Sequence, residues 1–155
     1  MEKYTIEIPV QKFRLSELSD EERFWIDTAI ISAKQAYAPY SQFYVGAVVV
    51  LENGKIVTGN NQENIAYPSG MCAERVALYY AGARYRDVPV KAIIVIAVKD
   101  GIVQKHISPC GACRQVLLET EIRSNQPIRV ILAGSEEVHI INSAELLLPV
   151  SFKSF

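Results

Sequence analysis

The chain has 155 residues, of which 50% are hydrophobic and 21% charged, and its formal net charge is −1. That length suits one domain spanning residues 1–155 around one core, and the apolar content excludes a disordered chain. No basic excess is present to neutralise a nucleic-acid backbone, and no apolar run nears the roughly 20 residues of a spanning helix, so neither nucleic acid nor membrane is an expected partner.

The N-terminus, Met-Glu-Lys-Tyr-Thr-Ile-Glu, lacks the charged-then-apolar order of a secretory signal. Three cysteines is an odd number, which argues against a closed disulfide framework. Free thiols fit a reducing compartment, and the expected location is cytoplasmic.

Residues 4–13 read as extended, with Tyr4, Ile6 and Ile8 alternating against polar neighbours. Ser19 and Glu22 have the spacing of a capping box, and Asp20 and Glu21 suit the positive end of a helix. That helix is expected from Asp20 to Tyr37, with Phe24, Ala29, Ile31 and Ala36 near helical spacing and Pro39 stopping it. Phe43 to Leu51, rich in Val, is an expected strand that turns at Glu52-Asn53-Gly54 and returns as Lys55 to Gly59. Asn60 to Gly70 is polar and irregular, as in a loop, and Met71 to Gly82 reads as a helix ending at glycine. Val90 to Val98 is almost continuously apolar, the pattern of a strand buried on both faces. A helix over Cys110–Glu119, a strand over Ile128–Ala133 and a short partner over Val138–Ile141 complete the series. The order β-β-α-β-α-β-β implies one α/β sheet with helices packed on its faces.

Cys110 and Cys113 are spaced C-x-x-C at a helix start, which sets both sulfurs on one side about one turn apart. Cys72 also opens an expected helix. Unpaired N–H groups at helix starts favour thiolate, and thiolates are zinc ligands. Taken alone, the cysteines fit four readings: core packing, a redox pair, a closed structural site with His106 as fourth ligand, or a catalytic metal. Glu74 and Arg75 favour the last. Glu74, two residues after Cys72, points away from that thiolate and can reach a water on the metal. Arg75, three residues on, shares the Cys72 side and can draw charge from its sulfur. A structural site needs neither. His106 and His139 otherwise read as a strand-to-loop residue and a surface or strand-pairing residue.

Cys72-Ala73-Glu74 followed by Pro109-Cys110-Gly111-Ala112-Cys113 resembles the signature of zinc-dependent nucleobase deaminases, in which the Glu is acid and base rather than ligand. With Cys as first ligand, the chain is similar to the small homotetrameric cytidine deaminases. The likeness extends over most of the chain. It includes Ala36-Tyr37-Ala38-Pro39-Tyr40-Ser41-Gln42-Phe43-Tyr44-Val45-Gly46-Ala47, Asn61-Gln62-Glu63-Asn64, and Leu147-Leu148-Pro149-Val150-Ser151-Phe152 near the end. Val76 departs from a common threonine, Asn60 from a common cysteine, and the segment between the two metal motifs is slightly long.

The resemblance implies a three-layer α/β/α fold with a mixed five-stranded sheet and one Zn2+ per subunit held by Cys72, Cys110 and Cys113. It implies hydrolytic deamination of cytidine and deoxycytidine to uridine and deoxyuridine, by an activated water attacking C4 with Glu74 carrying protons. Phe43 would pack on the nucleoside, Asn61 and Glu63 would bond the ribose hydroxyls, and the Ala73 backbone would read the base. Phe152 would close a pocket, in its own or a neighbouring subunit of a homotetramer with shared active sites. Tyr79, Tyr80 and Tyr85 add independent support for an interface. Two alternatives stand beside this: the same zinc chemistry on another aminopyrimidine nucleoside, such as an antibiotic like blasticidin S, and a non-catalytic zinc-binding protein of the same fold.

Overall fold

Val90–Lys99 (β4) runs through the middle of the molecule because both of its faces have helices to bury against. The computed structural model describes residues 1–153. Among these, seven strands form one sheet. The others are Gln11–Phe13 (β1), Tyr44–Leu51 (β2), Ile56–Asn60 (β3), Ile102–Val103 (β5), Arg129–Ala133 (β6) and Val138–Ile141 (β7). The strand order is β1-β7-β6-β4-β2-β3, with β5 paired to β4 off this path. β4 and β6 are parallel, and every other pair is antiparallel, so the sheet is mixed.

Three α-helices pack on this sheet among the described residues: Asp20–Ala33 (α1), Ala73–Arg84 (α2) and Gly111–Ser124 (α3). The period of two along β4 divides the core. Ala92, Ile94 and Ile96 join Trp25, Ile26 and Ala29 of α1 on one face. Ile93 and Val95 join Ala73, Ala77 and Leu78 of α2 and Leu117 of α3 on the other. The architecture is the expected α/β/α sandwich, with α1 alone on one side.

Glycines set how closely the helices approach. A Cβ at Gly59 of β3 would collide with the Ala73 carbonyl oxygen and stand 2.6 Å from the Ala77 nitrogen of α2. Gly46 of β2 meets the α1 backbone in the same way, at Ala29 and Ala33. The first turn of α2 therefore rests directly on sheet backbone.

Several expectations are corrected. The sheet has seven strands, not five. One addition is β1, a short edge strand on β7; the remainder of the extended segment, with Tyr4, Ile6 and Ile8, is exposed and unpaired in the sheet. The other is β5, which turns back from β4 through Asp100 and Gly101, both at positive φ. That Asp-Gly pair was a readable hairpin signal. α1 keeps its Ser19–Glu22 capping box but ends at Ala33, short of Tyr37. Tyr37 is instead recruited by a loop, accepting from Glu63 N–H (2.8 Å) and donating its own N–H to the Asn61 carbonyl (3.0 Å). α2 runs through Gly82 to Arg84, since that glycine lies against the Arg123 side chain without needing a special φ. α3 continues past Glu119 to Ser124 and ends at Asn125 in the left-handed region, φ 49°.

Candidate active site

Cys72 and Cys110 are the N-caps of α2 and α3, and Cys113 lies fully buried in the first turn of α3. Neither cap thiol bonds its helix's own N–H groups, so both sulfurs are free to face outward from the helix starts. They meet there. Cys72 Sγ is 3.8 Å from Cys110 Sγ, and Cys110 Sγ is 3.5 Å from Cys113 Sγ. All three sulfurs lie within 4.8 Å of one another.

That spacing fits zinc. Tetrahedral Zn–S bonds of about 2.3 Å require sulfurs about 3.8 Å apart. Among the described residues no fourth thiol, imidazole or carboxylate joins the group. His106, the alternative fourth ligand, faces Glu137 instead. The pKa of the Cys72 thiol is brought down to about 5: a hydrogen bond from the Cys113 thiol favours its thiolate, and the Arg75 guanidinium adds to this. Arg75 Nη2 stands 3.6 Å from Cys72 Sγ, on the shared helix side expected from the three-residue spacing.

Glu74 is in the first turn of α2, 4% exposed. Burial raises its carboxyl above the ordinary range, against the opposing pull of its own N–H and of the Cys113 thiol. It is therefore a buried acid beside the sulfurs and outside the ligand group.

A cleft of about 520 Å³ opens over Cys72 and Arg75, walled by Tyr40, Ser41, Asn61, Glu63 and Tyr67 among others. Glu63 is fastened from below. Its carboxylate accepts from the Ser41 hydroxyl and from the N–H groups of Tyr40 (2.8 Å) and Ser41 (3.2 Å). The Ser41 bond is the main reason its carboxyl lies below the ordinary range. Asn61 is also engaged: Oδ1 accepts from Val45 N–H at 2.8 Å, and Nδ2 donates to the Phe43 carbonyl at 2.9 Å. The loop bridge at Tyr37 draws Tyr40, Asn61 and Glu63 into one wall.

Phe43 lies one residue before β2, its carbonyl accepting from Asn61, and it does not line this cleft. Ala73 is the first residue of α2, fully buried behind Cys72. Phe152 stands apart. It lines a different cavity, of about 480 Å³, with Tyr79 of α2 and Gln115 of α3, and Gln115 Nε2 donates to its carbonyl at 3.0 Å.

Comparison with known proteins agrees with the sulfur geometry. The family model for the cytidine and deoxycytidylate deaminase zinc-binding region matches residues 19–126. The chain belongs to this deaminase family. A cytidine deaminase from Halalkalibacterium halodurans is 43% identical over 94 residues, 61% of this chain and 67% of that one. One from Mycobacterium tuberculosis is 38% identical over 104 residues, 63% of this chain and 72% of the relative. The crystal structure of a cytidine deaminase from Burkholderia pseudomallei superposes with a TM-score of 0.70 at 37% identity, covering 87% of this chain and all of that one, 100%.

The family is a zinc-binding one, and the cysteine trio is a group that could hold the ion. Two supporting residues were given no role by the sequence, although Arg114 falls in the motif that runs from Pro109 to Gln115. Arg114 binds the approach to Cys110, donating to the Pro109 carbonyl (2.8 Å), the Ser108 hydroxyl (3.0 Å) and the Leu147 carbonyl (3.0 Å). Glu121, 8% exposed, accepts from the N–H groups of Ile128 and Ala144, each at 2.7 Å, and ties α3 to both following segments.

Proposed function

We propose that this chain hydrolyses cytidine and deoxycytidine, exchanging the C4 amine for oxygen to leave uridine or deoxyuridine and ammonia. The observation that carries this is the buried Glu74 carboxyl in the first turn of α2, next to the Cys72 and Cys113 sulfurs and outside their ligand group. Bound zinc supplies a water acidic enough to lose its proton near neutral pH.

Glu74 accepts that proton and delivers it to ring N3 as oxygen joins C4. The tetrahedral carbon then sheds its amine, which Glu74 protonates on departure with the hydrogen remaining on the added oxygen. One acid can serve both transfers because burial keeps bulk water from competing for its protons. Cys72, Cys110 and Cys113 are the zinc ligands of this reading, and Arg75 offsets the negative charge that three thiolates bring.

Glu63 and Asn61 take the ribose hydroxyls and the Ala73 backbone reads the base; for Phe43 to pack on the nucleoside its ring has to turn toward the cleft, which it does not line. Glu63 is pinned as a carboxylate, so a 5′-phosphate beside it would be repelled; the substrate is a neutral nucleoside. Residues 1–155 act as one domain, in the cytoplasm, in pyrimidine nucleoside salvage. No helix among the described residues is long and apolar enough to cross a membrane.

The working form is a homotetramer. Tyr79 and Tyr80 of α2 are more than half exposed, and Phe152 lies on this same outer face, away from its own chain's cleft. That placement supports Phe152 serving a neighbouring subunit's pocket. Uridine formation from cytidine, followed by absorbance and ammonia release, tests the activity. Faster turnover of cytidine monophosphate than of cytidine would overturn the substrate assignment, and a monomeric mass in sedimentation would overturn the tetramer.

A further inference from the structure

His106, Glu137 and His139 form a second group of metal-ligating side chains, separate from the cysteines, with ligand atoms all within 4.8 Å of one another. We propose that these three residues are a second, surface metal site that takes Zn2+ through two imidazoles and one carboxylate. It is independent of the deaminase reaction.

The three ligand atoms already converge, close to the spacing a shared ion needs. Glu137 Oε1 is 2.7 Å from His139 Nε2 and 3.8 Å from His106 Nδ1. The two imidazole rings are tilted against each other, 3.6 Å between centroids and 30° between planes, and the Glu137–His139 contact is a hydrogen bond that an ion would replace. Co-ligands of an ion with bonds of about 2.0–2.2 Å stand roughly 3–3.6 Å apart, so small side-chain rotations suffice.

The backbone sets this arrangement. Glu137 and His139 flank Val138 at the start of β7, and alternate positions on an extended chain face the same side. His106 arrives from the loop before α3, which is docked on the β6–β7 turn. Ser135 N–H donates to the Gln104 carbonyl at 3.0 Å, and a Cβ at Gly134 would stand 2.5 Å from the His106 backbone nitrogen. Only a glycine there lets the loop lie so close.

The donor set selects the ion. Two imidazoles and a carboxylate suit Zn2+, Cu2+ or Ni2+, whereas Ca2+ and Mg2+ prefer oxygen throughout. The His106 and Glu137 side chains are 32% and 40% exposed, so water can complete the coordination. Glu136 lines the same small cavity and adds negative charge. Two cations compete: Lys12 Nζ is 3.4 Å from Glu137 Oε1, and Lys105 lines the same small cavity. A metal here would clasp the loop leading to Cys110 onto the β6–β7 hairpin.

The test adds Zn2+ alone to protein already holding one zinc, with calorimetry and dialysis reading the stoichiometry. The expected result is a second zinc per chain and a higher Tm. His106→Gln and Glu137→Gln should each weaken that second ion at least tenfold and leave the first in place. Lys12→Met should tighten it several-fold by removing one competing ammonium. If either glutamine variant fails to fold, the other decides. A wild-type chain that takes only one zinc, or a second zinc indifferent to the glutamine variants, overturns the proposal; so does a second zinc that Lys12→Met fails to tighten.

Discussion

Arg75 reaches back one helical turn and sets Nη2 3.6 Å from the Cys72 sulfur, while its Nε is buried without a hydrogen-bond partner. The guanidinium is thus committed to the sulfur at the expense of one of its own donors. Such a contact withdraws charge from the thiolate and lowers the cost of ionising it. Arg75→Gln should weaken zinc binding about 10- to 100-fold. The sign of the pH effect follows: without the cation the Cys72 thiol holds its proton to higher pH, so zinc release on acidification should begin at higher pH. Competition with a chromogenic chelator across pH measures both, and Arg75→Lys should restore part of the affinity.

Glu74→Gln keeps the size of the side chain and removes its ability to carry protons. The variant should bind zinc at one ion per cysteine trio and lose at least about 10²- to 10⁴-fold in turnover. Metal analysis beside steady-state rates on cytidine checks it. Near-normal turnover in a folded, zinc-loaded variant would remove Glu74 from the proton path.

Gly59→Ala inserts a methyl group where the Ala73 carbonyl oxygen and Ala77 nitrogen already stand. The first turn of α2 has to shift, and with it Cys72 and Glu74. A loss of about 1–3 kcal/mol is expected in urea unfolding, as for other overpacked sites, together with weaker zinc retention. Gly54 provides the control: its φ is +79° but no atom lies within 4 Å of an added Cβ, so Gly54→Ala strains only the turn and should spare the zinc.

Glu121→Leu strands two buried N–H groups, those of Ile128 and Ala144. The expected cost is about 3 kcal/mol. Glu121→Gln should cost only about 1 kcal/mol, because its oxygen still accepts both N–H groups and the Ser143 hydroxyl, 2.6 Å from Oε1, can turn to accept from the amide. Equal losses in the two variants would show that the pairing matters less than the packing.

Glu22 links the start of α1 to Arg129 of β6. Burial alone would raise its carboxyl, but the Ser19 N–H, Arg129 and the Ser19 hydroxyl together hold it below the ordinary range. A depressed carboxyl stabilises the fold above the unfolded pKa of about 4.3 and loses that contribution as pH falls through the folded value. Glu22→Gln should therefore be less stable than wild type at pH 7, and the gap should close under acid. Arg129 is 36% exposed, so the gap is expected to be only about 1 kcal/mol. The comparison is between two chains with the same zinc site, which cancels acid loss of the metal.

Short-range chemistry was legible in the chain. The Ser19–Glu22 spacing forms a real capping box, and the Asn53-Gly54 turn has its glycine at positive φ. The run from Val90 is buried on alternating faces as its composition implied. Helix ends were less readable, because tertiary contacts set them: Tyr37 leaves α1 to bond residues 61 and 63, and Gly82 has a helix continuing through it. Within the cleft, the motifs marked Asn61 and Glu63, but not that Asn61 already braces Phe43 and Val45. Phe152 belongs to another face of the chain altogether.

Sequence alone determined the donor chemistry: three thiols, two of them one helical turn apart, with an acid and an arginine following the third. Helical periodicity makes those relations local, so they hold wherever the helices lie. Only the tertiary structure decided that Cys72 meets Cys110 across 38 residues, and that Glu74 is buried beside them. The reason is packing: α2 and α3 share one face of the sheet, and the bare backbone at Gly59 lets α2 settle close enough for its first turn to reach that of α3.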